Sequence, residues 1–597
     1  MPPTPPPSAA VQEPSFGLRV ILSFWPFFRP YRKRIVTWFL IYGAYFACGI
    51  LTPIAVKIYF DSVLPSRSIS RIWLFAGVYG VYALIYHGLY FVGIQGTVRI
   101  IESVVSDLRL AVYRKLHRLT ISYFDKTLSG EIVNRVTNDT RQLLTLVGSE
   151  LVNVSLQLLM GVVAFVILLT WDANLAVVVI CFVPVYAWLV RRFLPEVRKA
   201  ARAWRRAEDR LWGNWGEKLK GMTVIQAFTR ERKEALTHHR FGHVSSDNWY
   251  RMTMHGTRLN VLGGLTSGVS RHAAFAMGCL LVINGDMLLG ELLSLSGLIG
   301  YMLAPVETAF SLLSTWQQSA VSAERIAKIL EEVEEAMLSE GRRRITEVRG
   351  EVRFEHVSFE YEPGKPVLQD INYSVAAGTS VALVGHTGCG KTTTVNLLQD
   401  FYRPVRGSIL IDGTPTVDIH PQDLRRHVGV VPQDVVLFSD TLRANVAYGK
   451  PTASDSEIWK VLEAAQIDEY VKALPNGLDT RVGGEDGVTP SEGEAQRLSI
   501  ARALLIDPAI VILDEATSSL DSMEEALLQV AVKELLRKRT SFIVAHRLST
   551  IRNCDLVVVM ERGRIVEMGN PRDLLSKPDS VYANLNRAHF STGVIRG

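Results

Sequence analysis

Six long apolar runs, at about 35–62, 72–99, 147–171, 174–195, 258–284 and 290–319, commit the first half of this chain to lipid. Each is close to the ~20 residues a helix needs to cross the hydrocarbon core, where only a helix satisfies every backbone N–H and C=O within one segment. After about 320, short apolar runs alternate with charged segments, so a soluble domain follows the membrane domain. With 597 residues the chain exceeds one ordinary core. The net charge is only +6, and the basic residues sit beside apolar runs instead of forming one stripe with interleaved aromatics. That pattern argues against a nucleic-acid partner. The five cysteines (Cys48, Cys181, Cys279, Cys389, Cys554) have neither CxxC spacing nor histidine companions, so no zinc site or disulfide framework is expected. Residues 1–17, opening Met1-Pro-Pro-Thr-Pro-Pro-Pro7, read as a disordered tail without the apolar core of a signal peptide.

Charge then orients the membrane domain, assigned to 18–320. Leu18–Phe28 is aromatic, amphipathic and too short to cross, which suits an interfacial helix. Arg29, Arg32, Lys33 and Arg34 precede the first run, and the connections 100–146 and 196–257 are rich in Arg and Lys. Trp171–Asn174 and Asn284–Asp286 contain neither, so both termini and the two long connections are expected on the cytosolic side. Those connections keep helical periodicity without being apolar enough for lipid, which predicts helices that run past the bilayer as rods. Lys57, His87, Arg271, His272 and Glu307 fall at membrane depth, where ionisable groups need a protein interior or a wet cavity, and are candidates for lining a substrate path. Pro305 is a candidate kink.

A charged segment, 321–349, reads as a linker helix, and a second domain runs from 350 to 597. Val381–Val384 has the pattern of a buried strand and feeds into Gly385-His-Thr-Gly-Cys-Gly-Lys-Thr392, after which Lys391–Leu398 reads as a helix. This is a phosphate-binding loop. Gly385, Gly388 and Gly390 allow the backbone to close on phosphates at a helix N-terminus, with Cys389 and Thr393 in the same turn. Lys391 neutralises the β and γ groups, and the Thr392 hydroxyl ligates Mg²⁺. Ile510-Val-Ile-Leu-Asp514 is an apolar strand whose end presents Asp514, followed by Glu515, where a carboxylate can hold the metal of a bound nucleoside triphosphate.

These motifs in this order resemble those of ATP-binding cassette (ABC) exporters. The resemblance implies an all-α six-helix transmembrane domain with long cytosolic helix extensions, fused to an α/β P-loop nucleotide-binding domain that hydrolyses ATP with Mg²⁺. It also implies individual roles. Tyr361, 24 residues before Gly385, would stack on adenine; Glu515 would be the general base and His546 the switch histidine at the γ-phosphate. Gln433 would join Asp514 and Thr392 at the metal, and Ser519 and Asp521 would form the D-loop. Tyr123–Asp139 and Gly221–Glu231 resemble the two intracellular regions that dock on the nucleotide-binding domains, with Phe124, Asp139 and Phe228 as coupling residues.

One motif departs from the family. Where its members carry Leu-Ser-Gly-Gly-Gln, this chain has Pro490-Ser-Glu-Gly-Glu494, and the approach from Thr480 to Ser491 is one residue longer. Ser491 and Gly493 remain, but Glu492 and Glu494 bring carboxylates to a place that should cradle a phosphate. At ~5 Å and an effective dielectric near ~20, each pair of unit charges repels by about 3 kcal/mol. The expectation is therefore a heterodimer in a lipid bilayer. A second, non-identical half-transporter would lend an intact signature to this chain's ATP and lack a glutamate at its own base position. The pair would export a hydrophobic or amphipathic drug, lipid or peptide across a bacterial plasma membrane. The alternative is a gated channel or regulatory subunit that binds ATP with little turnover.

Overall fold

The computed structural model describes residues 23–127, 129–145, 151–484, 487–514, 522–544 and 551–593. They form two compact units, Met1–His117 with Ser129–Glu332, and Arg118–Leu128 with Val333–Gly597. The short segment that follows the second long helix thus packs with the later part of the chain.

The first unit is built from six long helices, α1 (Arg32–Ile58), α2 (Ile69–Leu116), α4 (Leu151–Trp171), α5 (Ala173–Lys220), α7 (Glu231–Asn284) and α8 (Leu289–Glu331). The short helix α6 (Met222–Ala227) lies at a turn between long ones, and the short helix α3 (Ile121–Lys126), which follows α2 in the chain, belongs to the second unit. Among the described residues, five helices are long and apolar enough to cross a membrane, and α8 adds the apolar stretch Leu289–Pro305. At 1.5 Å per residue the 48 residues of α2 span about 72 Å, more than twice the ~30 Å of hydrocarbon. Helix α8 continues past Pro305 without ending and reaches Glu331 as one element.

Aromatic side chains lock α1 to α2. Tyr45 and Tyr86 stack at 4.8 Å, and the Tyr86 hydroxyl donates to Tyr45 at 3.1 Å. Tyr82 donates to the Cys48 carbonyl at 2.7 Å. Each phenol therefore contributes packing area and has its polar end satisfied, as burial in an apolar medium requires. Lys57 is held by Glu291 of α8 at 2.7 Å and lies 4.8 Å from the Trp171 ring. Arg271 donates to Ser267 at 3.3 Å, and His272 contacts the Gly268 carbonyl at 2.8 Å. The side chain of Glu307 lies outside the described residues.

The second unit carries two sheets. A four-stranded antiparallel sheet has the order β2-β1-β4-β5, from β1 (Val352–Glu360), β2 (Pro366–Val375), β4 (Arg406–Ile411) and β5 (Thr414–Pro415). A six-stranded sheet has the order β10-β9-β3-β8-β7-β6, from β3 (Ser380–Val384), β6 (Val428–Val431), β7 (Ile510–Asp514), β8 (Thr540–Val544), β9 (Leu556–Glu561) and β10 (Arg564–Gly569). Helix α9 (Lys391–Leu398) follows β3; α10 (Pro421–Arg426), α11 (Glu492–Ile506) and α12 (Ser522–Leu536) complete the elements needed below. Strands β3, β7 and β8 are buried almost without alternation, as expected for parallel strands covered on both faces. Between the sheets Phe354 stacks on Tyr373 at 4.7 Å and meets Phe542 at 6.3 Å.

Because Lys57 and Glu291 are mostly buried and paired, removing one should cost more than removing both. Glu291→Gln should lower the thermal midpoint of the full-length protein in nanodiscs, and Lys57→Met with Glu291→Met should recover most of it, with a coupling energy of about 1–3 kcal/mol.

Candidate functional site

Strand register gathers the nucleotide motifs on one sheet edge. Leu383 of β3 pairs with Val544 of β8, Val544 pairs with Asp514 of β7, and Leu513 pairs with Val431 of β6. With neighbouring strands about 4.8 Å apart, Gly385, Asp514 and Gln433 emerge at the carboxyl ends of strands within roughly 15 Å of one another. Ligands of open α/β sheets bind along such an edge. Glu515, Ser519, Asp521 and His546 lie outside the described residues.

The loop after β3 has the backbone that its glycines permit. Gly390 has φ +107°, and a Cβ there would lie 2.5 Å from Leu368. A Cβ on Gly385 would lie 2.2 Å from the Met560 carbonyl oxygen and 2.8 Å from Cys389 Sγ. The loop can thus press against β9 only with hydrogen at position 385. It delivers Lys391 to the first turn of α9, where the side chain folds back and donates from Nζ to the carbonyls of Gly385 at 2.7 Å and His386 at 3.2 Å.

Lys391 is only 7 % exposed, and among the described residues it has no carboxylate partner. A buried ammonium surrounded by neutral acceptors costs several kcal/mol unless an anion joins it, so the loop's own chemistry calls for a phosphate. Thr392 is exposed beside it, whereas Thr393 is buried and accepts from the Tyr361 hydroxyl at 3.2 Å.

That hydrogen bond fixes one end of Tyr361, and two rings fix its sides. Phe359 meets it at 4.8 Å and 87°, and Tyr402 at 5.0 Å and 88°. Both contacts are edge-on, and Tyr361 keeps 42 % of its surface exposed, enough for a flat ring to stack on it.

The altered signature folds as the self-capped start of a helix. Ser491 is the N-cap of α11; its hydroxyl accepts from the Glu494 N–H at 3.2 Å, and Glu494 accepts from the Ser491 N–H at 2.7 Å. This reciprocal capping box satisfies two of the N–H groups at the helix end, those of Ser491 and Glu494, from within the chain. The Ser491 hydroxyl also donates to Glu524 of α12 at 3.2 Å. Three glutamates, Glu492, Glu494 and Glu524, thus attend this N-terminus, with Gly493 buried among them. The box was legible as Ser-x-x-Glu immediately before a helical run; Glu524, thirty-three positions away, had no local signal.

Of the coupling residues, Phe124 is 37 % exposed on α3 and lies edge-on to Tyr123 at 5.6 Å. The hydrogen bond from the nucleotide-domain side goes to its neighbour Asp125, from the Tyr402 hydroxyl. Burial and Asp125 together push the Tyr402 phenol well above its usual range. Asp139 is buried inside the first unit, where it accepts from Ser322 at 2.8 Å and lies 3.8 Å from Arg325. Phe228 caps α6 and is 70 % exposed.

The two parts of the chain match two family models, "ABC transporter transmembrane region" over residues 39–306 and "ABC transporter" over 368–518. A putative multidrug export ATP-binding/permease protein of Bacillus subtilis is 34 % identical over 579 residues, covering 95 % of this chain and 98 % of its own. A fatty acid ABC transporter ATP-binding/permease protein of Mycobacterium bovis is 37 % identical over 495 residues, 82 % of this chain and 77 % of its own. Among solved structures, a bacterial Atm1-family ABC exporter with ATP bound superimposes with a TM-score of 0.79 at 26 % identity, covering 94 % of this chain and 98 % of that one.

If the buried ammonium is there for an anion, Lys391→Met should separate affinity from stability. The substitution keeps the apolar stem and removes the charge. TNP-ATP affinity should fall tenfold or more, a loss of at least about 1.4 kcal/mol, while the thermal midpoint without nucleotide should hold or rise. A fall in both would make Lys391 a structural residue.

Proposed function

Since this chain belongs to the ABC transporters, as a half-transporter that couples ATP hydrolysis to export, we propose that it is the catalytic half of an unequal pair. Its ATP lies over the loop Gly385–Thr392, the base on Tyr361 and the phosphates at Lys391. Thr392, Asp514 and Gln433 offer a hydroxyl, a carboxylate and an amide, the all-oxygen donor set that suits Mg²⁺. Glu515 orients the attacking water, His546 contacts the terminal phosphate, and Ser519 and Asp521 face the second subunit.

The observation that carries the asymmetry is the self-capped N-terminus of α11. In a head-to-tail pair this helix end would have to meet the partner's ATP with free N–H groups and a positive dipole. Here Ser491 and Glu494 take up each other's backbone N–H groups, the Ser491 hydroxyl is turned to Glu524, and Glu492 adds a further negative charge beside Gly493. A homodimer would carry this defect at both sites. With a different partner that donates an intact signature, this chain's site hydrolyses ATP and the other site turns over slowly.

The cargo is hydrophobic or amphipathic. Support comes from relatives named for multidrug export and for fatty acid transport, and from a first unit whose helices are apolar over bilayer-spanning lengths. The membrane is a bacterial plasma membrane with the nucleotide-binding domain in the cytosol, the side favoured by the basic connections.

Three measurements test the pairing. The chain purified alone should be a poor ATPase. Co-purified with its companion it should turn over ATP, and Glu515→Gln should lower that rate on the order of 100-fold or more without loss of ATP binding. Replacing Glu492 by Gly and Glu494 by Gln should raise turnover of the single chain about tenfold or more. Fast hydrolysis by the unmodified chain alone would remove the asymmetric reading.

A further inference from the structure

Tyr402 follows the turn after α9 and touches both the candidate base platform and the segment between α2 and the next helix of the first unit. Its ring meets Tyr361 at 5.0 Å and 88° and Phe359 at 5.6 Å, while its hydroxyl donates to Asp125 on α3. The surrounding residues make a rigid seat. Arg425 grips Glu335 through two bonds, at 2.7 and 2.9 Å, donates to the carbonyls of Gln399 and Asp400, and lies 4.6 Å from the Phe401 ring. Arg342 pairs with Asp400 in a nearly buried ion pair. Glu335 in turn donates its backbone N–H to the Arg118 carbonyl at 2.8 Å, just before α3. Phe401 and Asp400 are thus clamped from both sides, and Tyr402 projects from that clamp with one end on each neighbour.

We propose that Tyr402 is a positioning residue that couples occupancy of the base site to the docking of α3. A base stacked on the exposed face of Tyr361 covers the one side that its hydrogen bond and edge contacts leave open, and so holds the ring more firmly in the orientation it has here. The edge-on contact transmits the restriction to Tyr402, whose hydroxyl then holds Asp125. Linkage makes the effect reciprocal: firm docking of α3 raises ATP affinity by the factor by which ATP firms the docking. The inference rests on Tyr361 as the base platform and does not depend on the second subunit's signature.

Hydrogen–deuterium exchange of the full-length protein with its companion, in nanodiscs, reads this out on peptides covering 118–128. Mg²⁺ with AMP-PNP should slow exchange of α3 about fivefold or more in the unmodified protein. Tyr402→Phe keeps the ring and loses the donor; TNP-ATP affinity should stay within about threefold while the nucleotide-dependent slowing disappears. Asp125→Asn should have a partial effect, and the double variant should add nothing to Tyr402→Phe. The proposal is overturned if Tyr402→Phe retains the slowing, if it speeds α3 exchange equally with and without nucleotide, or if it abolishes nucleotide binding. A Tyr361→Ala variant with unchanged ATP affinity would instead sink the base-platform assignment.

Discussion

A positive charge buried beside carbonyl oxygens organises the nucleotide half of this molecule. Lys391 is placed there by a loop that needs hydrogen at position 385 and a left-handed turn at 390, and by α9, which begins at the lysine itself. The neutral carbonyls of Gly385 and His386 orient the ammonium without neutralising it. A site of this kind has little intrinsic stability and strong demand for an anion, a combination that ties ATP binding to local order. The parallel strands on either side matter because they set the depth at which Asp514 and Gln433 approach the same edge.

The same physics, applied to a second helix end, gives the opposite result. At α9 the N-cap is a glycine, which has no side chain to occupy the first N–H groups. At α11 the cap is Ser491 with Glu494 three residues on, and the box takes up two of the terminal N–H groups before any phosphate arrives. The dipole of α11 still favours negative charge, but that charge is supplied from within. A single polypeptide therefore holds one surface built for phosphate and one whose own carboxylates compete with it, the contrast on which the proposed pairing with an unequal subunit rests.

Much of this was legible because the interactions are local. A bilayer-spanning run must be helical wherever it is placed, and a glycine-rich loop between a buried strand and a helix has few alternative functions. Hydropathy recovered the membrane-embedded portions, and helical periodicity in the polar connections anticipated the rods by which α2, α5 and α7 extend beyond them. The capping box was also local, since Ser491 and Glu494 stand three residues apart at the start of a helical run. Lys57, placed by sequence among candidates for a substrate path, is held by a carboxylate 234 positions away, a pairing that no local signal announces. In the coupling region the sequence pointed to Phe124, and the hydrogen bond falls on Asp125 next to it, because helix rotation decides which neighbour faces the partner surface.

By itself the amino-acid order determined the class of solvent for each half, the phosphate loop, and the charge of the altered signature, since each depends on residues within a turn or two of one another. Only the tertiary structure decided that Ser491 is shared between Glu494 and Glu524, that Lys57 is paired, and that Tyr402 reaches both Tyr361 and Asp125. Those contacts join residues tens to hundreds of positions apart, and chain folding, which no local propensity encodes, brings them within hydrogen-bonding reach.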